Sequence, residues 1–178
     1  SGIVKAQRNK RSVPMLLETK WNQNFPYNSL CPEDEEVSGG HVYAGCVATA
    51  MSQVMKYFNY PVQGNGSFSY YPTGYGYNYP QQTANFGETL YNFERMPMSL
   101  DSTSTAEDIF YVAQLQWHCG ISVEMMYSPN GSGAYSEMVP YAVAEYFRYN
   151  PNTEIVYKDW YYNSSWIQLL KSQLDDNH

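Results

Sequence analysis

An α+β domain rich in helix is the fold class this sequence predicts, and three observations carry the prediction. Four stretches repeat apolar residues at three- and four-residue steps, the spacing of a helix with one buried face. The segments between them are rich in Gly, Pro, Ser and Tyr and leave room only for short strands. Strand and helix do not alternate along the chain, so a doubly wound parallel sheet is not expected. A length of 178 residues with 43% hydrophobic side chains suits one domain with a sizeable core.

In chain order, residues 1–12 are basic through Lys5, Arg8, Lys10 and Arg11 and lack periodicity. They read as a flexible arm or, since Gln7-Arg8-Asn9-Lys10-Arg11 suits trypsin-like cutting, as a propeptide remnant. Residues 13–178 are then the main domain. Trp21-Asn22-Gln23-Asn24-Phe25-Pro26-Tyr27-Asn28 is a loop with a tryptophan anchor, because Pro26 and three asparagines disfavour helix and strand alike. Pro32-Glu33-Asp34-Glu35-Glu36 is a solvated acidic turn without the spacing of an EF-hand.

Gly39-Gly40-His41 leads to the first helix, which Gly45 introduces with a tight turn and which runs from Cys46 to Phe58. Val47, Ala50, Met51, Val54 and Phe58 share one apolar face, expected to be buried. Loops follow from Asn59 to Tyr79, with a short strand at Gly66 to Tyr70, and Phe86 to Phe93 is a strand or turn. Ser104 or Thr105 caps the second helix, with Glu107 and Asp108 in its first turn and Gly120 as its stop. Ile121 to Met125 alternates like a strand. Tyr127 to Gly133 is a loop flexible enough for another backbone to approach closely. A third helix spans Ser136 to Tyr149, with Val139, Val143 and Phe147 on one face. Thr153 to Trp160 alternates as an extended segment. The last helix, Trp166 to Leu174, is expected to bury Leu169, Leu170 and Leu174.

A formal net charge of -7 argues against nucleic acid and anionic membranes as partners. Nor does any apolar run approach the ~18 residues a spanning helix needs. Charged residues make up only 15%, whereas tyrosine occurs 19 times. Tyrosine offers rigid contact area with a polar tip, which suits a peptide-binding surface or the polar surface of a secreted protein.

Cys46 carries the sharpest chemical signal. In the first turn of a helix, unpaired N–H groups and the positive end of the dipole favour negative charge, and the thiolate is the nucleophilic form of cysteine. The competing reading is a small buried cysteine. If Cys31 pairs with Cys119, Cys46 is the odd free thiol; in a reducing compartment all three are free. A thiolate needs a base and an oxyanion donor. His41 lies five residues before Cys46, His118 sits at a helix end where a structural role is favoured, and His178 is terminal. Gln23 supplies an amide donor from an upstream loop. His118 with Cys119 lacks zinc-site spacing, so no metal or cofactor is expected.

Trp21-Asn22-Gln23, Pro26-Tyr27-Asn28, His41, Gly45-Cys46-Val47-Ala48-Thr49-Ala50, Gln53-Val54-Met55-Lys56-Tyr57 and Tyr60-Pro61 together resemble the streptopain family of secreted bacterial cysteine peptidases. Gly120-Ile121-Ser122-Val123 and the loop from Tyr127 to Ser132 are similar to it as well. The cysteine at 31 and the Trp21 anchor look more like its Bacteroidetes members. The resemblance implies a papain-like fold, in which a helical subdomain with the nucleophile packs on an antiparallel β subdomain lying largely beyond the chain end. It implies Cys46 as nucleophile, Gln23 with the Cys46 N–H as oxyanion donors, and Gly131, Ser132 and Gly133 as the substrate-cleft wall. His41 matches a family histidine that is not the base. Secretion as a zymogen, a propeptide, and protein or peptide substrates drawn from a host are implied too.

The family's catalytic histidine falls in a Gly-Gly-His motif beyond the segment equivalent to Leu174 to His178, followed by a Trp-rich stretch. This sequence stops at His178. The expectation is therefore a thiol endopeptidase whose base lies outside these residues, either on a second chain of a cleaved enzyme or in a part lost by truncation. The alternative is a non-catalytic fragment of the same fold that holds a peptide or propeptide without cutting it.

Overall fold

The computed structural model describes residues 14–175, so the basic arm at 1–12 and the terminal His178 lie outside the described residues. Among the described residues, 17–155 form one unit, and 14–16 with 156–175 form a second.

In the larger unit, α1 (Cys46–Phe58) packs on α2 (Ala106–Ser122). The packed side of α1 is Ala48, Thr49, Met51, Ser52 and Met55. This corrects the expected burial of Val47, Ala50, Met51, Val54 and Phe58: Met51 is buried, but Ala50, Val54 and Phe58 are exposed. Small and hydroxyl-bearing residues allow α2 to approach closely, and the bulkier apolar row is left open.

Thr105 caps α2 through a reciprocal box: its hydroxyl accepts from the Asp108 N–H, and the Asp108 carboxylate accepts from the Thr105 N–H. The helix passes through Gly120 instead of stopping there. A side chain at 120 would sit 2.6 Å from the Tyr127 hydroxyl, so this glycine makes room rather than ending the helix. The expected strand from Ile121 to Met125 is accordingly absent. Its first two residues finish α2, and Glu124 turns the chain at φ 50 with Ile121, Val123 and Met125 fully buried.

Four short strands lie between α1 and α2. Strand β1 (Phe68–Tyr70) pairs antiparallel with β4 (Gln82–Ala84), Phe68 opposite Ala84. Between them, β2 (Thr73–Gly74) and β3 (Tyr77–Asn78) form a hairpin. Phe86–Glu88 and Phe93–Arg95 are 3-10 turns. The third helix, α3 (Val139–Phe147), follows a 3-10 turn at Ser136–Met138 and buries Val143 and Phe147 as expected. The core gathers Phe86, Tyr91, Leu115, Ile121, Tyr127 and Phe147.

In the second unit, Lys158–Trp160 is a 3-10 turn, not the end of a strand, for no described strand pairs with it. Helix α4 (Asn163–Asp175) buries none of its side chains. Leu170 and Leu174 are exposed and Leu169 is half-buried, which corrects their expected burial. Among the described residues, no helix is long and apolar enough to cross a membrane.

Candidate active site

Cys46 is the first residue of α1 and is exposed. Gly45 before it adopts φ 90 and ψ 146, a conformation that favours glycine. A side chain there would also meet the Met125 sulfur at 2.5 Å. Neither a side-chain cap nor an acidic residue among the described residues neutralises this helix end. Its first N–H groups and the positive end of its dipole are thus available to a charge forming at Cys46.

Cys31 and Cys119 contrast with it. Both are buried and unbonded, so they do not form the pair that the cysteine count left open. Burial pushes the Cys31 thiol up to about 12 and raises Cys119 as well. Cys46 is the accessible thiol of the three.

Gln23 is brought to the approach of α1 through its backbone, as the Ala44 N–H donates to the Gln23 carbonyl at 2.8 Å. Its loop is held from behind: the Trp21 indole donates to the Pro97 carbonyl at 2.8 Å, and the Tyr27 hydroxyl accepts from the Leu100 N–H at 2.8 Å. The tryptophan anchor read from the sequence is therefore a hydrogen-bonded one.

Gln116 of α2, fully buried, joins this loop to α1 and was not singled out by the sequence. Its amide nitrogen donates to the Asn22 carbonyl at 3.1 Å, and its amide oxygen accepts from the Thr49 hydroxyl at 2.9 Å. Thr49 also reaches the Gly45 carbonyl at 3.0 Å. One side chain thus ties the residue before Gln23 to the first turn behind Cys46. The available signal was a polar residue on an otherwise apolar helical face, since a buried amide must find partners.

The wall segment comes from the loop after α2. Gly133 and Met126 exchange both backbone hydrogen bonds, at 2.8 and 3.1 Å. In extended pairing the neighbouring residue faces the other way, so the Ser132 backbone points away from Met126. The Ser132 carbonyl indeed lies 3.3 Å from the position a Gly45 side chain would take. Gly131 turns the chain at φ 135, and the Ser132 hydroxyl accepts from the Ser128 N–H at 3.3 Å.

The open row of α1 borders an apolar cavity of about 530 Å³ that begins at Cys46 and is lined by Val47, Ala50, Val54, Val139 and Val143 among others.

The two described histidines, His41 and His118, make contacts elsewhere. His41 Nδ1 is 2.7 Å from the Cys31 carbonyl, which only accepts, so Nδ1 carries the hydrogen. His118 is buried against Phe86 and Trp117, with Nδ1 2.9 Å from the Tyr91 hydroxyl. Desolvation lowers it to about 4. Among the described residues, no three His, Cys, Asp or Glu side chains converge as metal ligands would.

Known proteins match this arrangement. The Peptidase C10 family model matches residues 21–178. Active wild-type interpain A, a cysteine protease of Prevotella intermedia, superposes with a TM-score of 0.86 at 34% identity, covering 93% of this chain and 67% of that one. A prointerpain A fragment matches with the same score over 52% of its length. In sequence, the thiol protease/hemagglutinin PrtT of Porphyromonas gingivalis is 30% identical over 174 residues, 93% of this chain and 20% of PrtT. Streptopain of Streptococcus pyogenes is 30% identical over 178 residues, 93% of this chain and 45% of streptopain. The chain spans less than half the length of these curated relatives. The fold is papain-like and α+β, as the resemblance implied.

Proposed function

The chain belongs to the Peptidase C10 family, and from that premise we propose that it is the nucleophile-bearing part of a secreted bacterial thiol endopeptidase. The observation that carries this reading is the exposed Cys46 at an uncapped helix start, with the Gln23 loop and Ser132 on either hand. The Cys46 thiolate attacks a peptide carbonyl, and the negative charge that develops on oxygen is held by the Gln23 amide and the Cys46 N–H. Collapse expels the amine, which takes a proton from an imidazolium. Water then adds to the acyl-enzyme, with the imidazole as base, and releases the acid.

The histidine comes from outside the described residues, because His41 and His118 are engaged elsewhere. The apolar cavity beside Cys46 suits the part that would bring it, either a second polypeptide or a continuation of the chain. Gly131, Ser132 and Gly133 form the cleft wall, along which the substrate backbone lies. Host proteins are the substrates, and a propeptide occupies the cleft before activation, in keeping with the prointerpain relative.

Casein and fluorogenic peptides test this directly. The histidine-complemented enzyme is expected to cleave both, and Cys46→Ala to abolish cleavage. Gln23→Ala is expected to cost about 10²–10³ in kcat with little change in KM. Peptide binding without cleavage would establish the non-catalytic alternative.

A further inference from the structure

The β2–β3 hairpin turns on Tyr75 and Gly76, both at positive φ (52 and 84). Positive φ at both central residues is the type I′ pattern, which Asn, Asp and Gly adopt readily and a bulky aromatic residue adopts at a cost. Packing returns little of that cost, for Tyr75 is 60% exposed and touches the wall only through its hydroxyl tip. An aromatic residue kept in such a turn with its ring open to solvent points to use.

The hairpin lies on the wall segment at three places. Gly74 admits Met126, whose Cβ would be 2.7 Å from a side chain at 74. The Asn130 amide donates to the Tyr77 hydroxyl at 3.4 Å. The Tyr75 hydroxyl approaches Gly133 so closely that a side chain at 133 would be 2.6 Å from it. Gly133 adjoins Ser132, whose carbonyl abuts the Gly45 that precedes Cys46. From Cys46 outward the order of contact is therefore Gly45, Ser132, Gly133, Tyr75.

We propose that Tyr75 is a specificity-determining residue, its open ring forming an aromatic platform that receives a large apolar or aromatic side chain of the peptide lying along Ser132 and Gly133. This rests on the peptidase reading above. A ring at the outer end of the wall contacts a substrate position removed from the scissile bond, and its selectivity comes from stacking and burial. Gly133 belongs to the same device, since its missing side chain lets the hydroxyl tip seat.

The test is the cleavage profile of the histidine-complemented enzyme on peptides varied one position at a time among Tyr, Leu, Ala and Asp. The wild type is expected to favour Tyr and Leu over Ala by about tenfold at one position away from the scissile bond. Tyr75→Phe is expected to keep that preference. Tyr75→Asn suits the turn better, so it is expected to lose the preference while its melting temperature rises by about 3 °C. Gly133→Ala, which displaces the ring, is expected to weaken preference at the same position. If Tyr75→Asn cleaves with an unchanged profile, or lowers the melting temperature and all cleavage alike, the inference is overturned and the peptidase reading stands. If the wild type cleaves none of the peptides, the peptidase reading falls and the inference with it.

Discussion

The two sides of α1 are built from different materials. Thr49 and Ser52 sit on the side that is packed, alongside Ala48, Met51 and Met55, whereas Val54 stands in the open beside the apolar cavity at Cys46 and Phe58 is exposed at the helix end. The packed side trades bulk for hydrogen bonding, and Thr49 meets Gln116 there. Its contacts fix where the first turn stands relative to the Gln23 loop. The open side is the greasier one, and a helix apolar on most of its circumference is one meant to be enclosed. One side of the helix is thus held by the rest of the described residues, and the other is left open.

Neighbouring residues on the two sides give the bluntest comparison. Met55→Ala, at 1% exposure, is expected to cost about 2–5 kcal/mol of stability. Chemical denaturation measures this, and a cost below that range would mean the packed side is softer than its burial indicates.

Behind the packed side, His118 extends the comparison to pH. Its folded pKa of about 4 lies below the ordinary 6.5 because burial disfavours the imidazolium. Its contribution is therefore complete above pH 6.5 and is lost as pH falls toward 4, where the unfolded chain binds the proton more readily. That loss amounts to about 3 kcal/mol. Urea unfolding at pH 7, 5.5 and 4 should show it, and His118→Phe should flatten the slope.

Gln116→Leu is expected to cost about 1–3 kcal/mol, since the Asn22 carbonyl loses its partner and Thr49 loses one of its two. On the proposed mechanism it should also reduce kcat more than it raises KM, because it loosens the Gln23 loop against Cys46. Gln116→Glu should be no better at neutral pH, because a buried carboxylate would face the Asn22 carbonyl without a donor between them.

The smallest effect is expected on the open side. Val54→Ser should change the stability of the 178-residue chain by no more than about 0.5 kcal/mol. In the histidine-complemented enzyme the same change should cost more, as it would place a hydroxyl in a covered apolar face. Equal effects in both would argue that the open side stays open.

How far the sequence alone leads can be judged from particular residues. The span of α1 followed from its period and from Gly45, but period identifies an apolar row, not which row the rest of the chain covers. Gly120 has the composition of a helix stop; only the nearby Tyr127 hydroxyl, seven residues on in sequence and folded back in space, gives its reason. Leu169, Leu170 and Leu174 follow a core-like spacing, yet α4 buries none of them. At the candidate site, local chemistry marked Cys46 as a candidate nucleophile beside a buried-cysteine reading, and the structure shows it exposed. Gln23 gained weight mainly through resemblance, since nothing local distinguishes it from a solvated glutamine. Gln116 and Tyr75 were not legible as site residues, because each acts through a partner distant in sequence: Asn22 lies 94 residues from Gln116.

The most direct test is the mass of the histidine-complemented enzyme, digested after brief exposure to an epoxysuccinyl peptide, with casein cleavage followed in parallel. One adduct is expected, on Cys46 and not on Cys31 or Cys119, with activity lost in step with labelling. Cleavage that persists once Cys46 is fully modified, or an adduct on a buried thiol in its place, would contradict the assignment of Cys46 as nucleophile.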